Sequence, residues 1–465
     1  MKKQMITFLY GCMGLLLMAA CGDSNDETPT PAPLAPELIS SSPVNGAVDV
    51  PVGNLTIELT YDKNITAPSA GHSQISIANA TITSVSASLT KATIQVSGLE
   101  KEKTYTLTIP KGVIFGPAKV ETPAVSISFT TIAEQHVTAS LAVNNPSSQT
   151  VNLYHFLKEN YGKKIISGAM ANVSWNTNEA DWVYKHTGKY PALNGFDYIN
   201  LYGTWESYNT TVVENWWDNN GIVTACWHWN VPRSQGSAGY AFYTKTGEHA
   251  SDGTDFDIRE AVIDGTYENG IVKADLKKIA DKLLLLKDKN IPVLWRPLHE
   301  AAGGWFWWGA KGAEPCKALW KMMFNYFQER GLNNLIWIWT AEPKDIVSNV
   351  NAWYPGDEYV DMIGRDIYNQ TNANSMLAEY NRLKDLYPEK IITLSEMGNV
   401  AGVTEQWNAG ATWSWMMPWY DYNRTNNTSG SNYDSADHQY ANISYCNSVF
   451  ANPHVITRDQ MPSLK

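Results

Sequence analysis

The stretch "IPVLWRPLHE", Ile291 to Glu300, decides the fold, because it is an apolar, β-branched run that ends in two side chains able to carry protons. It follows a charged segment in which apolar residues recur at helical spacing and which ends near Asn290. The apolar residues of that segment are Val272, Leu276, Ile279, Ala280, Leu283 and Leu286. A helix that leads into a short buried strand predicts one unit of an alternating α/β fold.

Seven further runs of the same kind occur downstream of residue 164, separated by segments with helical patterning. They are IISGAMA from Ile165, YPALNGFDY from Tyr190, GIVTACWHW from Gly221, LIWIWTA from Leu335, VDMIGRDIY from Val360, IITLSEMG from Ile391 and ATWSWMMPW from Ala411. Eight strands alternating with helices predict a (β/α)8 TIM barrel over residues 133–465. The functional residues of such a barrel gather at the carboxyl ends of its strands.

Residues 37–132 have a different pattern, in which apolar side chains alternate with polar ones, as at Leu55, Ile57, Leu59 and Tyr61. This period-two alternation, with turn residues between the runs, predicts a small all-β sandwich. The sequence "SPVNGAVDVP" from Ser42, followed by "LTYDKNI", resembles bacterial Ig-like domains. Because this region contains no tryptophan, a spacer is the favoured role, and glycan or protein binding is the alternative.

The N-terminus is typical of an export signal, with two lysines followed by an apolar run over residues 1–20. "MAAC", Met18 to Cys21, resembles a bacterial lipobox, which implies cleavage before Cys21 and lipidation of its thiol; a plain signal peptide is the alternative. Residues 21–36 are acidic and then proline-rich, as in an extended tether. The acidic run resembles the surface-export signal of Bacteroidetes lipoproteins, which implies the outer face of the outer membrane, with the periplasm as the alternative.

The composition and the motifs argue against several kinds of ligand. A net charge of -11 leaves no basic surface to neutralise phosphates, so we expect no nucleic-acid partner. The five cysteines contain no CxxC pair, and position 303, where a zinc-binding HExxH motif needs histidine, is Gly303. We therefore expect neither a metal nor a cofactor. All 19 tryptophans lie at or after Trp175, and indole faces suit the CH-rich faces of sugars.

Two carboxylates stand at strand ends on opposite sides of the predicted ring, Glu300 after the fourth strand and Glu396 after the seventh. Cleavage of a glycosidic bond needs such a pair, one carboxyl to protonate the leaving oxygen and one to attack the sugar. We predict retention of configuration, which requires the two carboxyl groups to lie about 5 to 5.5 Å apart. Asp197 stands at the end of the second strand, where it could orient its neighbours.

The motifs "RPLHEAAGGWFWWG", "LSEMG", "VTACWHWNVP" and "IGRDIY" resemble those of glycoside hydrolase family 26, best known for endo-β-1,4-mannanases. The resemblance implies that Glu300 is the acid/base and Glu396 the nucleophile. It further implies a set of substrate-site residues: His228, His299, Trp305, Tyr368, Trp415, Arg296 and Asp366. His228 could instead be a core histidine, and Glu300 a salt-bridge partner of Arg296. We expect Trp307, Trp308, Trp337 and Trp339 to belong to the core.

The leading interpretation is a surface-anchored, retaining endo-β-1,4-mannanase acting on mannan, galactomannan or glucomannan. The same barrel could instead cut β-1,3-xylan or mixed-linkage β-glucan, because such choices depend on subsite contacts. Alternatives from other classes are a non-catalytic glycan-binding lipoprotein and a protein-binding adhesin. Partners would be β-mannan, the membrane through Cys21, and neighbouring outer-membrane glycan-uptake proteins. Two long polar segments, Ser234 to Gly270 and Asn423 to Gln439, are predicted to form cleft walls.

Overall fold

The computed structural model describes residues 33–132, 137, 140–204, 208–422 and 427–465. The chain divides into two compact units, Met1–Ile132 and Ala133–Lys465, so the division follows Ile132, where the sequence pattern changes. The expected signal peptide, Cys21 and most of the expected tether lie outside the described residues. In the described part of the chain, no helix combines the length and the apolar character that a membrane crossing requires.

The first unit is all β, as predicted, and consists of two four-stranded sheets. In chain order its strands are β1 (Leu38–Ser42), β2 (Ala47–Val50), β3 (Leu55–Tyr61), β4 (Ser76–Ile77), β5 (Thr81–Ser88), β6 (Lys91–Ser97), β7 (Thr104–Ile109) and β8 (Val125–Thr131). One sheet has the order β1-β3-β6-β5 and the other β2-β8-β7-β4. The alternating residues that suggested strands, such as Ile57, Leu59 and Leu107, point into a shared core.

The second unit contains the predicted barrel. Its eight strands are β9 (Ile165–Met170), β10 (Leu193–Asp197), β11 (Ile222–Cys226), β14 (Val293–Arg296), β15 (Leu335–Thr340), β16 (Met362–Tyr368), β17 (Ile391–Gly398) and β18 (Trp415–Pro418). Adjacent strands are parallel, and β9 pairs with both β10 and β18, which closes the ring. Three two-residue strands, β12 (Val231–Pro232), β13 (Tyr240–Ala241) and β19 (Val455–Ile456), lie outside it.

Helices surround the ring. They are α1 (Ser148–Asn160), α2 (Asn178–Thr187), α3 (Thr211–Asp218), α4 (Ile258–Ala261), α5 (Tyr267–Lys287), α6 (Ala313–Glu329), α7 (Ala373–Leu386), α8 (Val403–Ala409) and α9 (Ile443–Ala451). In α5 the Thr266 side chain accepts a hydrogen bond from the Asn269 N–H, which satisfies a free donor of the first turn. The apolar residues predicted for α5 all lie on its buried face.

Most tryptophans near the barrel are structural. Trp337 and Trp339, on β15, pack against Trp320 of α6 with ring centroids 5.5 and 5.4 Å apart. Trp307 and Trp308 are fully buried, and their indole N–H groups donate to the carbonyl oxygens of Trp229 (2.7 Å) and His299 (2.9 Å). The prediction that these four indoles belong to the core is confirmed, and the last two fix the turn that follows β14.

Candidate active site

A buried guanidinium links three barrel strands at the mouth. Arg296, the last residue of β14, is 1% exposed and donates to Asp366 on β16 over 2.8 Å and to Glu396 on β17. Asp366 and Glu396 are register partners across β16 and β17, immediately after an irregularity in the pairing. Ser395, at that irregularity, donates to the second oxygen of Asp366 over 2.7 Å. The two carboxylates therefore face one cation at a fixed position.

Glu396 is held by two donors. Arg296 bonds one carboxylate oxygen, and the Tyr368 hydroxyl donates to the other over 2.9 Å. Burial raises the pKa of Glu396 to about 7, whereas the charge of Arg296 and the Tyr368 hydrogen bond act in the opposite direction. Donors on both oxygens favour the ionised carboxylate, the form a nucleophile requires.

Glu300 has the opposite surroundings. Its described hydrogen bond comes from the indole N–H of Trp305 (3.0 Å), and it is not paired with Arg296. Burial, followed by the nearby Asp366 and Glu396 carboxylates, raises the pKa of Glu300 well above its usual range. Glu300 and Leu298 both have left-handed backbone conformations, with φ of 52° and 47°. Such strain in non-glycine residues is concentrated at functional sites.

The carboxyl groups of Glu300, Asp366 and Glu396 approach closely, with one oxygen of each within 4.8 Å of the others. Asp197, Cys226 and His228 form a second such group in the described residues. Either set has ligand atoms for a cation. In the first set, Arg296 already pairs with Asp366 and Glu396. In the second set, Asp197 is hydrogen-bonded to His228. In the first group, the pKa of Glu300 is raised well above its usual range, and Glu396 accepts hydrogen bonds on both oxygens.

Two histidines adjoin the pair. The His228 Nδ1 lies 2.6 Å from Asp197, and its Nε2 lies 3.2 Å from the Nε2 of His299. Burial lowers the pKa of His228, but Asp197 outweighs this and raises the pKa overall; burial also holds the pKa of His299 well below its usual value. When His228 is protonated, it donates to both partners, and the His299 Nε2 accepts.

Two expected substrate residues are buried instead. Arg296 and His299 are each 1% exposed. Arg296 contacts Glu396 and Asp366, the His299 Nε2 lies against that of His228, and the buried His299 Nδ1 has no hydrogen-bond partner in the described structure. They position other side chains and present no surface to a sugar. Asp366 borders the cleft, but both its oxygens accept protein hydrogen bonds. His228, with its side chain 13% exposed, is the most exposed of these four side chains.

Trp305 lies where the sequence predicted. It is half-buried at the cleft, and its indole lies over Gly303, where a Cβ atom would be 2.2 Å from the ring. Gly304, with φ of +76°, completes the bend. The two glycines thus allow one turn to carry both Glu300 and the indole that donates to it.

The expectation for Trp415 is wrong. Its side chain is 0% exposed, because Trp415 begins β18, whereas the mouth lies at the other end of that strand. The indole at the mouth end of the strand is Trp419, which follows Pro418, is 5% exposed and lies 5.8 Å from His228 between ring centroids. The predicted run ATWSWMMPW already ended at Trp419, one residue past β18, so the error lay in choosing Trp415 from that run as the substrate residue.

The long segment after β11 adjoins the site. It is not a plain loop, since it contains β13, α4 and the first turn of α5. The backbone N–H of Thr244 donates to the carbonyl of Trp305 over 2.8 Å, and that of Trp307 donates to the carbonyl of Phe242 over 3.1 Å. This segment therefore holds the turn that carries Trp305.

Of the segment after β18, residues 423–426 lie outside the described residues. Further along, the His438 Nδ1 accepts from the N–H groups of Tyr440 and Ala441, so its Nε2 donates to Glu179 over 3.0 Å. The Tyr440 ring then packs 5.5 Å from the ring of Tyr368. The described end of this segment is thus fixed next to the tyrosine that bonds Glu396.

Two family models match the chain, one for each unit. The family described as "Glycosyl hydrolase family 26" matches residues 143–460, and the family described as "Bacterial Ig-like domain" matches residues 33–131. A mannan endo-1,4-beta-mannosidase of Thermothelomyces thermophilus is 38% identical over 297 residues, which cover 60% of this chain and 57% of that protein. With two Piromyces mannosidases the coverage of the relative is 46% and 43%, so the chain spans about half the length of the curated relatives it matches.

Two solved structures are matched over nearly their whole length. The family 26 domain of an endo-beta-mannanase/endo-beta-glucanase from Prevotella bryantii is 37% identical, with a TM-score of 0.61, and 69% of this chain aligns with 98% of that domain. A beta-mannanase from a symbiotic protist of the termite Reticulitermes speratus, solved with a gluco-manno-oligosaccharide, is also 37% identical. Its TM-score is 0.60, with 71% of this chain and 99% of that chain aligned.

The Asp197–His228 contact is testable without any substrate. Replacing Asp197 by Asn removes the charge that raises the pKa of His228 and leaves the burial that lowers it. We expect NMR titration of the imidazole nitrogens to show the His228 midpoint shifted down by about one unit or more. An unchanged His228 midpoint would contradict this role of Asp197.

Proposed function

The chain belongs to glycosyl hydrolase family 26, and from that membership we propose that it is an endo-acting mannan endo-1,4-β-mannosidase working with retention of configuration. The observation that carries the proposal is the Glu300–Glu396 pair. One carboxyl is kept protonated by burial and neighbouring negative charge, and the other accepts hydrogen bonds from Arg296 and Tyr368. Curated relatives named mannan endo-1,4-beta-mannosidase favour β-mannan over xylan or mixed-linkage glucan as the substrate.

In the first step, a carboxylate oxygen of Glu396 forms a bond to the anomeric carbon of the sugar. The bond from that carbon to the leaving oxygen breaks, and the Glu300 proton moves to the leaving oxygen. Their oxygens approach within 4.8 Å, which fits the short separation of retaining enzymes, about 5 to 5.5 Å, rather than the roughly 6.5 to 9.5 Å of inverting ones.

In the second step, Glu300, now ionised, takes a proton from water as the water oxygen attacks the anomeric carbon, and the bond to Glu396 breaks. Tyr368 and Arg296 stabilise the Glu396 carboxylate as it leaves. His228 and Trp419 adjoin the place where the sugar ring must lie, and Trp305 supports Glu300. A pair of unlike carboxyl groups supports catalysis over glycan binding alone, which needs neither role.

For location, we propose a lipid anchor at Cys21 that holds the protein at the outer membrane, with the Ig-like unit as a spacer. The support is the lipobox-like "MAAC" and the acidic, proline-rich sequence that follows it. This arrangement would present the barrel to polysaccharide outside the cell and near glycan-uptake proteins.

Activity is tested by product analysis on mannan, β-1,3-xylan, mixed-linkage glucan and cellulose. We expect the wild type to favour mannan. Glu300→Ala should lower kcat/KM on mannan by about 10²- to 10⁴-fold, because proton donation is lost. It should retain turnover of a dinitrophenyl β-mannobioside, whose leaving group needs no proton. Glu396→Ala should be inactive on both substrates.

Glu389→Ala, at an exposed site, serves as the control and should behave as the wild type. Absence of mannan turnover by the wild type would refute the proposed function, as would undiminished turnover by either active-site variant. Preference for β-1,3-xylan or mixed-linkage glucan would retain the mechanism and replace the substrate.

The anchor is tested by Cys21→Ala in a bacterial host that lipidates exported proteins. We expect the wild type to fractionate with membranes and to incorporate labelled fatty acid, and the variant to do neither. Membrane association and labelling that persist in the variant would contradict an anchor at this residue.

A further inference from the structure

An open cleft of about 370 Å³ adjoins Glu300 on the side of the β15 and β16 loops. Its lining includes Glu300, Trp305, Glu342, Asp345, Tyr368 and Gln370. Glu342 follows β15 by two residues and has been given no role above. It is the member of this lining whose surroundings are hardest to explain by folding alone.

Glu342 is buried without a described side-chain partner. The residue is 3% exposed, and its Oε1 is enclosed yet accepts no hydrogen bond in the described structure. A buried polar atom left without a partner is costly, so its persistence calls for a functional reason.

The neighbouring arginines do not supply the missing bond. Arg365 and Arg382 both donate to Glu379, each over 3.1 Å. Their other described bonds go to main-chain carbonyls, from Arg365 to Asp366 and from Arg382 to Glu342 over 2.8 Å. Glu379 is therefore the ion-pair partner of both, and the Glu342 carboxyl, in the cleft lining, has no described donor.

The surroundings also favour the protonated form of Glu342. Burial raises the pKa of Glu342 to about 7; Arg365 and Arg382 oppose this shift, and Asp366 and Glu396 add to it. A neutral carboxyl group has one donor and one acceptor, which matches a sugar hydroxyl, itself both donor and acceptor. A charged carboxylate would lack the donor.

The position of Glu342 indicates which sugar of the substrate it contacts. Glu300 gives its proton to the departing oxygen, so the sugar that carries this oxygen lies on the Glu300 side, where the cleft opens between Trp305 and the β15 loop. We propose that Glu342 is a specificity-determining residue that hydrogen-bonds a hydroxyl of the leaving-group sugar. This inference rests on the proposed glycosidase function and extends it to the leaving-group side.

The test measures how the glycosyl-enzyme is divided between water and an added sugar. A dinitrophenyl β-mannobioside donor forms the same intermediate in every variant, and mannobiose then enters the leaving-group side in competition with water. Both acceptors use Glu300 as the base, so the ratio of transfer to hydrolysis reports sugar binding and not the position of Glu300.

Glu342→Leu removes both hydrogen-bonding atoms, and we expect it to lower the transfer-to-hydrolysis ratio about tenfold. Glu342→Gln keeps a donor and an acceptor and should stay within about threefold of the wild type. Glu389→Leu is the matched control, because it makes the same change at an exposed residue outside the cleft lining; its ratio should be unchanged. Thermal unfolding of each variant checks that it is folded.

An unchanged ratio in Glu342→Leu would overturn the inference, as would a lower total rate with the same ratio, which would mean that Glu342 acts through Glu300. A Gln variant as impaired as the Leu variant would overturn the hydrogen-bonding role. Absence of transfer to mannobiose in an active wild type would contradict a sugar site here. A wild type inactive on every β-mannan would refute the proposed function, and this inference with it.

Discussion

The buried guanidinium of Arg296 is the constraint on which the site depends. A cation enclosed at 1% exposure is tolerated only when it is paired and hydrogen-bonded, and here Asp366 and Glu396 satisfy it from two other strands. Removing one partner of such a buried pair costs about 3 to 5 kcal/mol, so β14, β16 and β17 are held in one arrangement. The barrel strands position the Arg296 guanidinium, and the guanidinium positions the Glu396 carboxylate.

The residues around Arg296 also give the two glutamates, Glu300 and Glu396, different surroundings. Arg296 and Tyr368 act on Glu396, whereas Glu300 receives a single indole N–H and faces the carboxylates of Asp366 and Glu396. Two identical side chains within reach of each other thereby acquire different proton affinities, which is what acid and nucleophile roles require. Trp305 contributes because Gly303 leaves room for its ring against the turn.

The strands and both glutamates could be predicted from the sequence, because eight apolar runs alternate with helices and polar residues follow the runs. The burial and the exact positions of individual side chains could not be predicted. Trp415 was chosen over Trp419 although the predicted run ended at Trp419, because the apolar pattern alone does not show which indole of the run lies at the mouth. The burial of Arg296 and His299, the pairing irregularity at Ser395 and the left-handed backbone of Leu298 and Glu300 depend on contacts between distant segments. In the sequence, Glu342 cannot be distinguished from other loop glutamates, because only the structure shows that Arg365 and Arg382 both pair with Glu379.

The most direct test of the central claim, that Glu396 attacks the sugar with Glu300 as its acid, is to trap the intermediate. A 2-deoxy-2-fluoro-β-mannobioside with a dinitrophenyl leaving group forms the glycosyl-enzyme and slows its hydrolysis. After proteolysis, mass spectrometry should find one fluorinated mannobiosyl group on the peptide that contains Glu396, attached through its carboxylate. Label on Glu300 or Asp366 would contradict the assignment. So would continued turnover of the natural substrate to products of inverted configuration without labelling.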